Sequence, residues 1–162
     1  MHFLFCVLFA AHLPIPCTAQ PEYTLSKLSM QDVQYSVLDI EAALKTLSAM
    51  KTQVSAFRHI VAGHGEIYTS TEQANRVIEY TIARLGSILD QVRAALANGD
   101  ARPATDILSA VAHGQGATIT ALPQYVLYNT TVQAALSILY ARGEISPLFQ
   151  DNMLLWQRVE KG

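Results

Sequence analysis

The most informative part of the sequence is LPQYVLYNTTVQAALSILYARGEISPLFQDNMLLW, Leu122–Trp156. Pro123 opens a helical segment whose apolar residues recur at helical spacing until Gly143 halts it. The sequence after Gly143 predicts two short strands joined by a turn at Asp151-Asn152. A short helix, PATDILSAVAH, and a glycine-rich loop, HGQGATIT, precede this stretch. Helix, loop, helix and hairpin in this order are the outline of a winged-helix module.

A longer helix is predicted before this module. Ser70 or Thr71 is its candidate N-cap, and Asn98-Gly99 ends it. Gly86 lies inside the segment, where it weakens the helix or permits the close approach of a neighbour. The apolar stripe that predicts the helix consists of Ala74, Val77, Ile78, Ile82, Leu85, Leu89, Val92 and Leu96.

Two further elements are predicted upstream. Asp39 is a candidate N-cap for a helix whose apolar residues recur from Ile40 to Met50. The apolar run Phe57–Ala62 then suits a buried strand, and it leads into the glycine-flanked turn around His64. Glycines beside a histidine permit unusual backbone conformations and let another group come close.

The N-terminal run FLFCVLFAAHLPIP, Phe3–Pro16, is open to two interpretations. It is shorter than the roughly 20 apolar residues of a membrane span. Residues 1–19 resemble a secretory signal, although no Lys or Arg precedes the apolar run. The alternative is a buried strand followed by a proline-rich turn. Cys6 and Cys17 both lie in this region, and they predict no disulfide framework.

Composition excludes some classes of function. The chain has 162 residues, a formal net charge of -2 and a charged content of 15%. Such a charge gives no general attraction to nucleic acid or to anionic membranes. Hydrophobic residues make up 51% of the sequence, which argues against disorder and indicates extensive burial or an apolar partner surface. The length allows one ordinary core, alone or with a small satellite.

Candidate chemistry is sparse. The five histidines form no HxH or HExxH pair, and no CxxC occurs, whereas a zinc site needs three or four ligands brought together. By its surroundings alone, His64 is either one such ligand or a turn histidine held by local hydrogen bonds. The sequence has no GxSxG elbow and no P-loop lysine. The helix of the opening stretch carries a single basic residue, Arg142, which argues against DNA binding.

Taken in order, four pieces resemble the C-terminal part of metallo-β-lactamase-fold hydrolases. LDIEAALKTLSAMK resembles the family helix before the last core strand, and FRHIVAGHGEIY resembles that strand with its glycine–histidine–glycine turn. ANRVIEYTIARLGSILDQVRAAL resembles the long helix that follows. Leu122–Trp156 resembles the winged-helix-like tail, and it is the most specific of the four.

The resemblance implies metal-assisted hydrolysis, in which one or two metal ions, usually zinc, activate a water. It places His64 at the position of the family's last histidine ligand. The HxHxDH motif that supplies most family ligands is absent, as are the next histidine and the bridging aspartate. One ligand does not hold a catalytic zinc, so we expect this chain alone to be inactive, with no catalytic residue assigned.

We therefore predict a mainly α chain with a few short strands, of the α+β class. The expected parts are residues 1–68 as a remnant of the metallo-β-lactamase core, 69–99 as a connecting helix and 100–162 as the winged-helix-like domain. A non-enzymatic protein-interaction module, self-associating or bound to a partner chain, is the alternative function. A winged-helix DNA-binding protein is the weaker one. We expect a cytoplasmic protein without a transmembrane span, or a secreted one if residues 1–19 act as a signal.

Overall fold

The structure, a computed structural model, describes residues 39–56, 60–61 and 67–160. Helix α1 is Ile40–Gln53, and a short 3-10 turn, Val54–Ala56, follows it. The Asp39 carboxylate accepts a hydrogen bond from the backbone N–H of Ala42 at 2.9 Å. Asp39 is therefore the N-cap, as predicted, because it satisfies one of the free donors in the first turn.

Helix α2, Thr71–Ala95, is the predicted long helix. Ser70 rather than Thr71 is its N-cap, because the Ser70 hydroxyl accepts a hydrogen bond from the backbone N–H of Gln73 at 3.2 Å. Gly99 lies just beyond the helix at a φ of +81°, a conformation that favours glycine. Six of the eight stripe residues are buried, and Val77 and Ile82 are half-buried.

Of the apolar run Phe57–Ala62, the structure describes Ile60 and Val61. Strand β1 is Ile60–Val61, and it pairs antiparallel with β2, Ile67–Tyr68. The register sets Ile60 opposite Tyr68, and Ile60 is buried as predicted. Strand β2 was not foreseen, because two residues are too few to show the alternation by which a strand is detected.

The helix, loop, helix and hairpin of the opening stretch all form. Helix α3 is Ala104–Gly114, and α4 is Leu122–Ala141. The hairpin consists of β4, Ile145–Gln150, and β5, Met153–Arg158. A two-residue strand, β3, Arg102–Pro103, adds to β5, so the antiparallel sheet has the order β3-β5-β4. Pro103 thus belongs to a strand and precedes α3 as its N-cap, where the sequence had placed it in the first turn.

Turn residues end these elements as expected. Asp151 and Asn152 have φ values of 51° and 61°, the pair of positive values that a two-residue type I′ hairpin turn requires. Gly143, at a φ of +67°, ends α4 in a Schellman motif. In that motif Gly143 N–H donates to the Tyr140 carbonyl and Glu144 N–H to the Leu139 carbonyl, both at 2.9 Å.

The described residues fall into two compact units. The first contains the described part of 48–80, with Val54, Ile60, Ala74 and Ile78 buried. The second contains 39–47 and 81–160 and carries a continuous apolar core. The largest side chains buried in that core are Ile40, Val92, Leu96, Ile107, Val111, Val132, Leu136 and Leu139.

The chain is mostly helical with a few antiparallel strands, which confirms the α+β class. The division at residues 68/69 and 99/100 stays a prediction, since it rests on the family resemblance. Among the helices that the structure describes, none is both long and apolar enough to cross a membrane.

Candidate functional site

The predicted metal ligand, His64, lies outside the described residues, as do His2, His12 and His59. The structure describes the strands on either side of residues 62–66. Val61 and Ile67 are directly paired, so β1 enters and β2 leaves this segment side by side. The assignment of His64 as a ligand therefore stays a prediction.

The described residues do not supply the set of ligands that a zinc ion needs. Within 39–56, 60–61 and 67–160, no three His, Cys, Asp or Glu residues lie close enough together to hold a metal. A structural zinc site needs four such ligands, and a catalytic one needs three with an open position. His113, the histidine that the structure describes, lies in the last turn of α3 and is exposed.

A shallow groove of about 400 Å³ lies beside His113 in the second unit. Leu108 and Ala112 of α3 give it a buried apolar floor. Its size is in the range of small-molecule sites, but no Asp or Glu lines it to orient the imidazole. The residues that line it are Thr105, Leu108, Ser109, Ala112, His113, Ala117, Thr118, Ile119 and Tyr125. This set offers hydroxyl groups and an imidazole for ligand binding, and no base–orienter pair for catalysis.

One charged cluster in the second unit is structural. Arg93, in the last turn of α2, holds the Glu144 carboxylate through two hydrogen bonds, Nε to Oε2 at 2.7 Å and Nη2 to Oε1 at 3.0 Å. Its Nη1 also donates to Asp90 Oδ1 at 2.8 Å. The hydrogen bond with Glu144 is the main cause that raises the pKa of Arg93, while burial partly opposes it. The cluster joins α2 to the start of β4.

The surface of α4 and the hairpin is poor in positive charge. Helix α4 contains no Lys or Arg, and residues 145–157 contain none either. Arg142 and Arg158 are exposed at the base of the hairpin, whereas Asp151 is exposed at its tip. Phosphate contacts supply most of the affinity for nucleic acid, and on this surface Arg142 and Arg158 are the described residues that could make them.

Several aromatic side chains of α4 and the hairpin are exposed. Tyr128 and Trp156 do pack against the core. Phe149 is 78% exposed, Tyr140 54% and Tyr125 39%. We define the hairpin surface as Tyr140, Phe149, Leu154 and Trp156.

Of the comparisons with known proteins, the one with solved structures gives a match. No protein-family model matches the sequence, and no curated protein matches it. Among solved structures, the crystal structure of a beta-lactamase domain protein from Burkholderia ambifaria superposes with a TM-score of 0.59 at 19% sequence identity. The match covers 78% of this chain and 37% of that chain. This chain is thus similar in fold to a little over a third of a beta-lactamase domain protein.

Proposed function

We propose that this chain supplies the winged-helix-like C-terminal part of a zinc-dependent hydrolase with the metallo-β-lactamase fold. The observation that supports the proposal is the fold match to 37% of a beta-lactamase domain protein. The order of α2, α3, α4 and the hairpin agrees with the tail that the sequence resembles. At such low identity, the substrate class does not follow from the match.

It follows from this proposal that the chain is inactive on its own. The described residues bring no three metal ligands together, and the resemblance assigns only His64. A catalytic zinc needs three protein ligands besides its water. Hydrolysis would then require ligands from the HxHxDH half of the fold, supplied by another part of a longer protein or by another chain.

A hydrolysis assay on the purified full chain tests this proposal. Generic ester, thioester and phosphodiester substrates are incubated with the chain and added zinc, with His64→Ala as the matched control. We expect both proteins to turn over none of these substrates above the rate of zinc alone. Zinc-dependent turnover that His64→Ala abolishes would show that the chain contains a complete site.

A protein-interaction module is the second candidate. The observation that favours it is the exposure of large apolar side chains in the second unit, with Phe149 at 78% and its cross-strand partner Leu154 at 42%. Exposed apolar side chains that lie next to one another are a common mark of protein–protein contact sites. This function needs no metal, so zinc content separates it from a complete hydrolase.

A further inference from the structure

The outer half of the hairpin presents apolar side chains to solvent. Phe149 and Leu154 are directly opposite each other in the register, and they are 78% and 42% exposed. Pro147 and Trp156 form the pair two residues nearer the base. Since side chains two residues apart lie on the same face of a strand, these four share one face of the hairpin.

An aromatic pair borders this face. The rings of Tyr140, on α4, and Trp156, on β5, meet edge to face with centroids 6.1 Å apart at 66°. Trp156 packs against the core, while Tyr140 is 54% exposed. The hairpin surface therefore offers a projecting ring, Phe149, and beside it an aromatic pair on which another ring can pack.

The free edge of β4 is a poor site for adding a strand. In a two-residue hairpin the residues next to the turn, Gln150 and Met153, form the pair that exchanges both backbone hydrogen bonds. Alternation then directs the backbone groups of Pro147 away from β5, toward the open edge. Proline has no N–H to offer there, so this edge lacks a donor at its centre. Association through the face of the hairpin is favoured over association through its edge.

An acidic side chain is exposed at one end of the hairpin, and two arginines, with Glu160 beside them, are exposed at the other. Asp151 is exposed at the tip, and Arg158, opposite Ile145 in the register, is exposed at the base. If two hairpins pack face to face and antiparallel, the tip of one copy meets the base of the other. Asp151 then faces Arg158 of the second copy at both ends, because a two-fold interface repeats every contact. In this arrangement Asp151 and Arg158 make the two copies complementary in charge.

We propose that two copies of this chain associate through the hairpin surface, with Phe149 of each packed on the Tyr140–Trp156 pair of the other. The exposed area of the hairpin surface is on the order of 350 Å² per copy, if the full area of an aromatic side chain is taken as about 200 Å². A stable interface buries about 800 Å² per partner, so this dimer is weak, with a dissociation constant between about 10 µM and 1 mM. A second copy of the chain is thus the partner in the interaction-module function proposed above. This association does not involve the metal site.

Sedimentation velocity on the full chain, from about 5 µM to 1 mM, tests the proposal. Phe149→Ser is expected to raise the dissociation constant by about tenfold or more, the effect of removing a central anchor residue. Leu122→Ser is the matched control, because Leu122 is 74% exposed on α4 outside the hairpin surface. We expect it to change the constant less than about twofold. A wild-type chain that stays monomeric at 1 mM, or association that Phe149→Ser leaves unchanged, overturns the proposal.

Two further measurements guard against non-specific aggregation. Trp156 is the only tryptophan of the chain, so its emission is expected to shift to the blue as concentration rises, and not in Phe149→Ser. Asp151→Lys is expected to weaken association, and Asp151→Lys combined with Arg158→Glu is expected to restore it. Equal weakening by the single and the double variant would overturn the antiparallel arrangement.

Discussion

Arg93 and Glu144 form a two-point ion pair that joins the C-terminal turn of α2 to the first residues after α4. The two hydrogen bonds measure 2.7 and 3.0 Å, and the side chains are 37% and 28% exposed. The backbone of Glu144 is held as well, because its N–H donates to Leu139 and its carbonyl accepts from Val159. One residue therefore fixes the end of α4, the entry of β4 and the side of α2.

Breaking this pair is expected to destabilise the second unit modestly. We predict that Arg93→Ala costs about 1 kcal/mol in the free energy of unfolding, because the pair is bidentate but one-third exposed. Asp90→Ala is the control, since the Asp90 side chain is 75% exposed and we expect a loss below about 0.5 kcal/mol. Urea unfolding of both variants and of Glu144→Gln measures the effects. A cost for Asp90→Ala equal to that for Arg93→Ala would contradict the assigned role of Glu144.

The pH dependence of the stability that the Arg93–Glu144 pair contributes follows from the direction in which the pKa of Arg93 is shifted. The hydrogen bond with Glu144 raises the pKa of Arg93 above its already alkaline ordinary value. A raised pKa in the folded state adds stability that is fully present below the unfolded pKa and is lost only above it. The difference in unfolding free energy between wild type and Arg93→Ala should therefore be unchanged between pH 7 and pH 10. A loss of this difference by pH 10 would show that Arg93 is not the charged partner.

Two glycines are expected to respond to alanine in opposite directions. Gly86 lies inside α2, and no described residue would come within 4 Å of an added Cβ. Gly86→Ala should raise the unfolding free energy by about 0.5–1 kcal/mol. Gly143→Ala should lower it by about 1 kcal/mol or more, because the φ of +67° strains any residue with a Cβ. Thermal unfolding compares the two, and a stabilising Gly143→Ala would be inconsistent with the Schellman ending of α4.

The core of the second unit is expected to depend on Leu136. This side chain is completely buried on α4, so Leu136→Ala should cost about 2–5 kcal/mol through lost burial and the cavity left behind. Leu122→Ala, on the same helix but 74% exposed, should change stability by less than about 0.5 kcal/mol. Equal losses in chemical denaturation would mean that the two ends of α4 are buried alike.

Periodicity and end signals predicted most of the fold. The caps Asp39 and Ser70 and the stops Gly99 and Gly143 lie where local chemistry alone requires them. Strand β3 escaped detection because a two-residue strand exists only through its partner β5, and pairing across about fifty residues leaves no local pattern. Ile88 was missed from the buried stripe because a helix buried on a wide face has no sharp boundary.

The candidate sites were less predictable than the fold. His64 was singled out by its glycines and by the family resemblance, and neither shows which side chains it meets. The Arg93–Glu144 pair joins residues 51 positions apart, which no spacing in the sequence indicates. The exposure of Phe149 depends on how far the hairpin extends beyond the helices. Such facts belong to tertiary structure and not to the local pattern.

The zinc content of the purified full chain distinguishes a partial metal site from a complete one. The chain is expressed in zinc-supplemented medium, freed of loosely bound metal by dialysis, and compared with His64→Ala by mass spectrometry of the metal. If the chain is only part of a metallo-β-lactamase-fold hydrolase, both proteins will hold well below one zinc per chain, with no difference between them. One tightly bound zinc per wild-type chain, lost in His64→Ala, would contradict the account.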